Sequence, residues 1–153
     1  MIEVSTQVDA PPGDIWALIG DPARMGEWSP ECRRVEWLGG ATAPAVGARF
    51  RGYNRIGWRR WSTVGTVAVH EPDREVAWDV AVGPLAVARW GYRIEPGGHG
   101  CTVTEYFDDR RGRLIGAIGT AVRGVGDTET HNRAGMARTL ERIKTAAERT
   151  PAV

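Results

Sequence analysis

Lysine is nearly missing from this chain. Of 20 basic residues among 153, Lys144 is the only lysine and the rest are arginine. Nineteen acidic residues offset them, which leaves a net charge of +1 and a pI near 7.9. Nucleic-acid-binding domains usually have a pI above about 9 and clustered basic residues, so the charge balance speaks against a DNA or RNA partner. Cysteine is scarce as well. Cys32 and Cys101 stand alone and lack metal-ligand spacing, so two buried thiols are expected, with no metal and no cofactor. No apolar run approaches the ~20 residues of a membrane span. The opening "MIEVSTQVDA" alternates polar and apolar residues and does not read as a signal peptide. The expectation is a soluble, cytoplasmic protein without an integral membrane segment. Histidine occurs three times, and no Ser-His-Asp set or phosphate loop is discernible.

Tryptophan, by contrast, is abundant, with seven copies. Two of them flank a pair of arginines in "GYNRIGWRRWSTVG", residues 52–65. Aromatic and basic residues interleaved in this way can serve as a stacking platform for nucleic acid. Along a strand, residues of opposite parity face opposite ways. Trp58 and Trp61 differ by three, and Arg59 and Arg60 by one, so no single face carries the stripe. If "IGWRR" is a hairpin connection, the arginines lie at its tip in solvent. Trp61 then opens a strand with Thr63, Val67 and Val69 on its own face. Either reading removes the platform.

The order of elements follows from periodicity. Ile2, Val4 and Val8 alternate with Glu3, Ser5, Gln7 and Asp9, a half-buried strand. "APPGDIWALIGDPARMGEW" changes to helical spacing through Ile15, Trp16 and Ile19. Asp21 before Pro22 has the form of an N-cap with proline at the first helical position, so a second short helix is expected there. From "SPEC" to about residue 108 the period is again two, cut by "LGGATAPAVG", "EPDR", "VGP" and "EPGGHG", which are turn signals. Five or six strands are expected, and connections this short favour antiparallel pairing. Val76, Trp78, Val80 and Val82 share one face. So do Ala88, Trp90, Tyr92 and Ile94, and so do Cys101, Val103, Glu105 and Phe107. Residues 112–126 carry an apolar stripe diluted by five glycines, a natural place for a mobile gate. The last segment is a strong amphipathic helix with Asn132, Met136, Leu140, Ile143 and Ala147 on one face. It is the only long element available to cover the apolar face of the sheet. The chain is thus expected to form one α+β domain over residues 1–153.

Trp61, Trp78, Trp90 and Tyr92 fall on the inward face of neighbouring strands. Rigid aromatic walls with polar tips suit a ligand cavity better than a plain aliphatic core. The segments "PPGDIWALIGDPARMGEWSP", "VGARFRG", "WSTVGTVAVHEPDREVAW", "WGYRIEP", "CTVTEY" and "MARTLERIK" together resemble the SRPBCC (START-like, Bet v 1-like) superfamily, in particular its polyketide cyclase/dehydrase-like branch. The resemblance runs in order from about residue 2 to residue 148. It implies a helix-grip fold, with a curved antiparallel sheet wrapped around a C-terminal helix and a hydrophobic cavity between them. It places Trp61, Trp78, Trp90, Tyr92, Val103, Glu105, Phe107, Asn132, Met136 and Leu140 on the cavity wall, and Trp28 near the entrance. Members of the superfamily bind lipids, polyketides, quinones or hormones, and only some catalyse, so the fold alone does not choose.

Cyclisation or dehydration would require a placed acid or base. His99 lies in a turn, His70 is expected on the outer face, and His131 in the first turn of the last helix is a candidate at the cavity mouth. Glu105 is the other candidate. On an apolar face its carboxyl pairs with an arginine, acts as an acid with a raised pKa, anchors a ligand hydroxyl, or reaches solvent at the strand end. The leading reading is binding of a hydrophobic small molecule or lipid in that cavity. The alternative is a polyketide-type aromatase, cyclase or dehydratase using Glu105 or His131. The expected state is a monomer or homodimer with a hydrophobic ligand as its partner.

Overall fold

The computed structural model describes residues 1–110 and 128–149. The glycine-diluted segment 112–126, read above as a gate, lies outside them. Strand β1 (Ile2–Val8) leads into helix α1 (Pro12–Ile19). A 3-10 turn (Pro22–Arg24) and the one-turn helix α2 (Met25–Trp28) follow. Asp21 caps this second helical stretch, its carboxylate accepting from the Ala23 amide at 2.9 Å. Six strands come next: β2 (Cys32–Trp37), β3 (Arg49–Ile56), β4 (Arg59–Glu71), β5 (Glu75–Val82), β6 (Leu85–Gly97) and β7 (Gly100–Asp109). Helix α3 (Thr128–Arg149) ends the described chain.

The seven strands form one sheet in the order β1-β7-β6-β5-β4-β3-β2, and every neighbouring pair is antiparallel. This is the helix-grip α+β arrangement, with the short helices following the first strand. The "IGWRR" stretch is a tight hairpin. Ile56 pairs with Arg59, and Gly57 and Trp58 alone make the turn, with Gly57 at φ +59°. A glycine with positive φ at the first of two turn positions suits the II′ geometry that joins twisted strands. Trp58 is 80% exposed at the tip, with the Arg59 guanidinium 4.7 Å from its ring centre.

One face of the sheet follows the alternation closely. Val76, Trp78, Tyr92, Ile94, Cys101, Val103, Glu105 and Phe107 are buried. Two interruptions change the pattern. In β4, Val67 pairs with Trp78 but Val69 pairs with Ala77, so Ala68 is an extra, bulged residue. A bulge reverses the parity beyond it. Val69 therefore leaves the face of Trp61, and His70 joins the face of Val76. This corrects the expectation of an outward His70. Its ring is half-buried beneath the first helix, with Nε2 3.2 Å from the Gly20 carbonyl and its centre 5.1 Å from that of Trp16. The second interruption lies in β6 between Ala86 and Ala88, opposite Val80 and Ala81.

Helix α3 divides its inward face into two parts. Its C-terminal half places Leu140, Ile143 and Ala147 into a solid core with Val8, Ile15, Ile19, Val67, Val76, Ile94 and Val103. Its N-terminal half, with Asn132 and Met136, also buried, covers the other end of the sheet. There the interior is not filled.

Candidate functional site

Between the N-terminal half of α3 and the sheet lies a cavity of about 310 Å³. Small-molecule pockets run from about 300 to 1,000 Å³, so this is a compact one. Three strands supply the aromatic wall through Phe50 of β3, Trp61 of β4 and Trp78 of β5; Trp90, Tyr92 and Phe107 continue it on β6 and β7. From the helix come Asn132, Gly135, Met136 and Thr139, the i, i+3, i+4, i+7 face of one helix. The link from α2 into β2 closes the remaining side with Met25, Ser29, Pro30, Glu31 and Cys32.

The rings are held by each other. Trp90 and Phe107 have centroids 4.6 Å apart. Phe50 meets Trp37 at 5.8 Å and Trp78 at 6.1 Å, and Trp78 meets Tyr92 at 6.1 Å. Phe50 faces Gly65 directly across the β3–β4 ladder. A Cβ on Gly65 would lie 2.3 Å from the Phe50 ring, so the ring lies over backbone that only glycine leaves clear.

Most of the predicted wall residues meet here: Trp61, Trp78, Trp90, Tyr92, Glu105, Phe107, Asn132 and Met136. Three do not. Val103 and Leu140 belong to the solid core, although they share faces with cavity residues, because the helix and sheet close together toward that end. Trp28 stands outside the cavity. Its indole N–H donates to the Leu18 carbonyl at 3.1 Å, the Arg142 guanidinium donates to the Trp28 carbonyl at 3.2 Å, and Trp28 shares a surface groove with Arg142 and Ala146. The one-turn helix that carries it turns it away from the mouth.

Phe50, Gly52 and Asn54 of β3 line the cavity without having been singled out in the sequence. The signal was available, since Arg49, Arg51 and Arg55 alternate with them and fix their parity. Glu31, by contrast, sits in an irregular link with no period to read, and Cys32 opens β2 just before a break in its register.

Glu105 is the polar group at the centre of this site. It is 6% exposed, and no arginine stands among the described residues that line the cavity with it. The Tyr92 hydroxyl donates to its Oε1 at 3.4 Å, and its Oε2 has no hydrogen-bond partner. Burial pushes its pKa well above the usual carboxylate range, because the charged form loses its hydration. Burial, with Glu105 adding to it, also raises the Tyr92 hydroxyl well above its ordinary value. Cys32 is buried on the same wall, its thiol pushed up to about 11 by burial. His131 lies on the edge of the site, its Nε2 2.5 Å from Glu31 Oε1. His99 is exposed in the β6–β7 turn. Among the described residues, no group of three or more His, Cys, Asp or Glu is placed to hold a metal ion, and no helix is long and apolar enough to cross a membrane.

An antiparallel sheet closed over one long helix, with an aromatic-walled cavity held between them, defines a helix-grip protein. Residues 1–148 match the family described as polyketide cyclase / dehydrase and lipid transport, and the chain belongs to that family. Among solved structures it is 30% identical to the Polyketide_cyc-like protein Cgl2372 from Corynebacterium glutamicum, covering 94% of this chain and 88% of that one with a TM-score of 0.61. StfQ, the di-domain ARO/CYC from the steffimycin biosynthetic pathway, is 13% identical at a TM-score of 0.70, over 96% of this chain and 50% of StfQ. The Aha1 dimer from Colwellia psychrerythraea is 14% identical at a TM-score of 0.63, over 99% and 100% of the two chains. At those lower identities the likeness is one of fold. No curated protein matches the chain.

Proposed function

We propose that this protein binds a hydrophobic, partly aromatic small molecule in the cavity between the sheet and α3, with Tyr92 and Glu105 as its polar anchor. The observation that carries this reading is the unfilled cavity itself, where six aromatic rings surround one buried carboxyl whose Oε2 is unpartnered. A mostly apolar pocket with a few convergent polar groups is the general form of a small-molecule site. Membership in a family described by polyketide cyclisation and lipid transport supports the same class of ligand. The test is native mass spectrometry of freshly purified protein, followed by organic extraction of any bound compound. A discrete added mass is expected. A clean apo mass, together with no uptake of an apolar dye, would sink the reading.

A second reading has a specific observation in its favour. A buried carboxylic acid with a raised pKa is suited to general acid catalysis, and burial raises that of Glu105 well above the ordinary carboxylate value. On this reading the protein is an aromatase, cyclase or dehydratase that protonates a carbonyl oxygen from Glu105. His131 is less suited, since Glu31 already occupies its Nε2. Unchanged turnover in Glu105→Gln on an accepted substrate would remove Glu105 from that role.

A further inference from the structure

The charged groups that line the cavity are, among the described residues, all of one kind. Among the described residues that line it, none is Lys, Arg or His, while two are carboxylic acids, Glu31 and Glu105. Scarcity does not explain this, since the chain has 20 Lys and Arg residues and none of the described ones lines the wall. Glu31 meets His131 at the edge. Glu105 lies deep, its Oε1 taken by the Tyr92 hydroxyl and its Oε2 open to the space. A carboxylate or phosphate carried into this space would lose its water, find no cation among the described lining residues, and face a carboxyl group. A neutral ligand meets a different site. With Tyr92 donating to Oε1, the carboxyl proton belongs on Oε2, where it is an unused donor.

Resting on the binding reading above, we propose that the cavity is a charge filter. It takes an uncharged ring compound whose carbonyl oxygen accepts a hydrogen bond from Glu105 Oε2, and it excludes carboxylate- and phosphate-bearing lipids. The titratable groups that share the wall with Glu105 are Tyr92 of β6, Cys32 of β2 and Glu31 of the link before it. Helix α3 contributes Asn132, Gly135, Met136 and Thr139, and β1 sets Val4 opposite Glu105 in the ladder, so neither element supplies a charge. Burial raises the Glu105 pKa well above the ordinary carboxylate value, and burial keeps the Tyr92 hydroxyl and the Cys32 thiol protonated at neutral pH.

The experiment uses the whole chain and Nile red, an uncharged dye whose emission rises in apolar surroundings. Bound dye is displaced with three compounds on one ring system: 2-acetylnaphthalene, 2-naphthoate and 2-(aminomethyl)naphthalene. Near neutral pH the ketone is expected to compete about 10- to 100-fold better than the carboxylate, the factor that one buried unpaired polar group typically costs. Ketone affinity falls as pH rises through the ionisation of Glu105. Glu105→Gln keeps an uncharged N–H donor and holds the ketone preference at every pH, whereas Glu105→Leu loses it. Should the leucine variant fail to fold, the glutamine variant still decides by its pH profile. Carboxylate binding as tight as the ketone's, an amine that outcompetes the ketone, or a glutamine variant with the wild-type pH profile overturns the filter alone. Absence of any Nile red binding overturns the underlying binding reading as well.

Discussion

Tyr92 and Glu105 stand directly opposite each other in the β6–β7 ladder, and the tyrosine hydroxyl donates to the carboxyl across 3.4 Å. Register, not side-chain flexibility, fixes the pair. A slip of one residue by either strand would turn its member of the pair to the outer face of the sheet and part the two. The polar end of the cavity is therefore as rigid as the sheet that carries it.

Glu105 makes stability depend on pH in a predictable direction. Its folded pKa lies well above the ordinary carboxylate value, so its contribution is fully present below the unfolded pKa of about 4.3. That contribution is lost as pH rises from there through the folded pKa. Glu105→Gln removes this part of the profile, and at pH values above the folded pKa of Glu105 the variant is expected to be more stable by about 1–3 kcal/mol, the cost of an uncompensated buried polar group. Urea unfolding across the pH range measures it. A stability difference between the two proteins that does not change with pH refutes the assignment.

Gly65→Ala puts a methyl group 2.3 Å from the Phe50 ring, and Phe50 is confined by Trp37 and Trp78. The ring has nowhere inexpensive to go, so a loss of about 1–3 kcal/mol is expected. Combining it with Phe50→Leu recovers part of that loss if the two residues share one space. Strict additivity in chemical denaturation argues against it.

Trp61 and Trp78 both line the cavity, but only Trp78 also belongs to the core. Trp78→Ala is expected to destabilise by about 3–5 kcal/mol. Trp61 is half-buried, and Trp61→Ala is expected to leave the fold stable while weakening Nile red binding by roughly tenfold, the loss of one partly buried aromatic wall. Paired thermal melts and dye titrations separate the two effects. Equal loss of stability in both variants contradicts the division between cavity and core.

Cys32 and Cys101 are both buried free thiols, and burial raises the pKa of each, that of Cys32 to about 11. Reactivity follows the thiolate. A thiol reagent at neutral pH is therefore expected to label neither residue in the folded protein and both after denaturation. Rapid labelling of Cys32 in native protein would show that its wall of the cavity opens.

The strands that could be read were those whose faces alternate without interruption. In β7 the sequence from Cys101 to Phe107 assigns every side chain to the side it occupies, and Asn132, Met136 and Leu140 likewise mark the inner face of the last helix. Ala68 was not legible. A bulge adds one residue without altering composition, and it moved Val69 and His70 to faces opposite those that simple parity gave. Nor can periodicity separate Met136, on the cavity wall, from Leu140, in the solid core. Both lie on one helix face, and only the closing distance to the sheet distinguishes them. The His131–Glu31 contact joins residues 100 positions apart through an irregular link, and no local signal announces such a pairing.

The chain's first strand lies against its last. Val4 pairs with Glu105, and Lys144 of the final helix donates to the Gln7 carbonyl at 2.5 Å. Pairings over such separations require a large loop to close before they are rewarded, which slows folding. During synthesis β1 leaves the ribosome long before either partner exists, and synthesis runs at about 5–20 residues per second. The β2–β6 meander can form by adding neighbours, but its β6 edge stays unpaired until β7 emerges, and β1 waits with it. The strand that carries Glu105 is thus also the one that seals the sheet. A nascent chain in which β7 has not docked has no binding site and leaves an open strand edge.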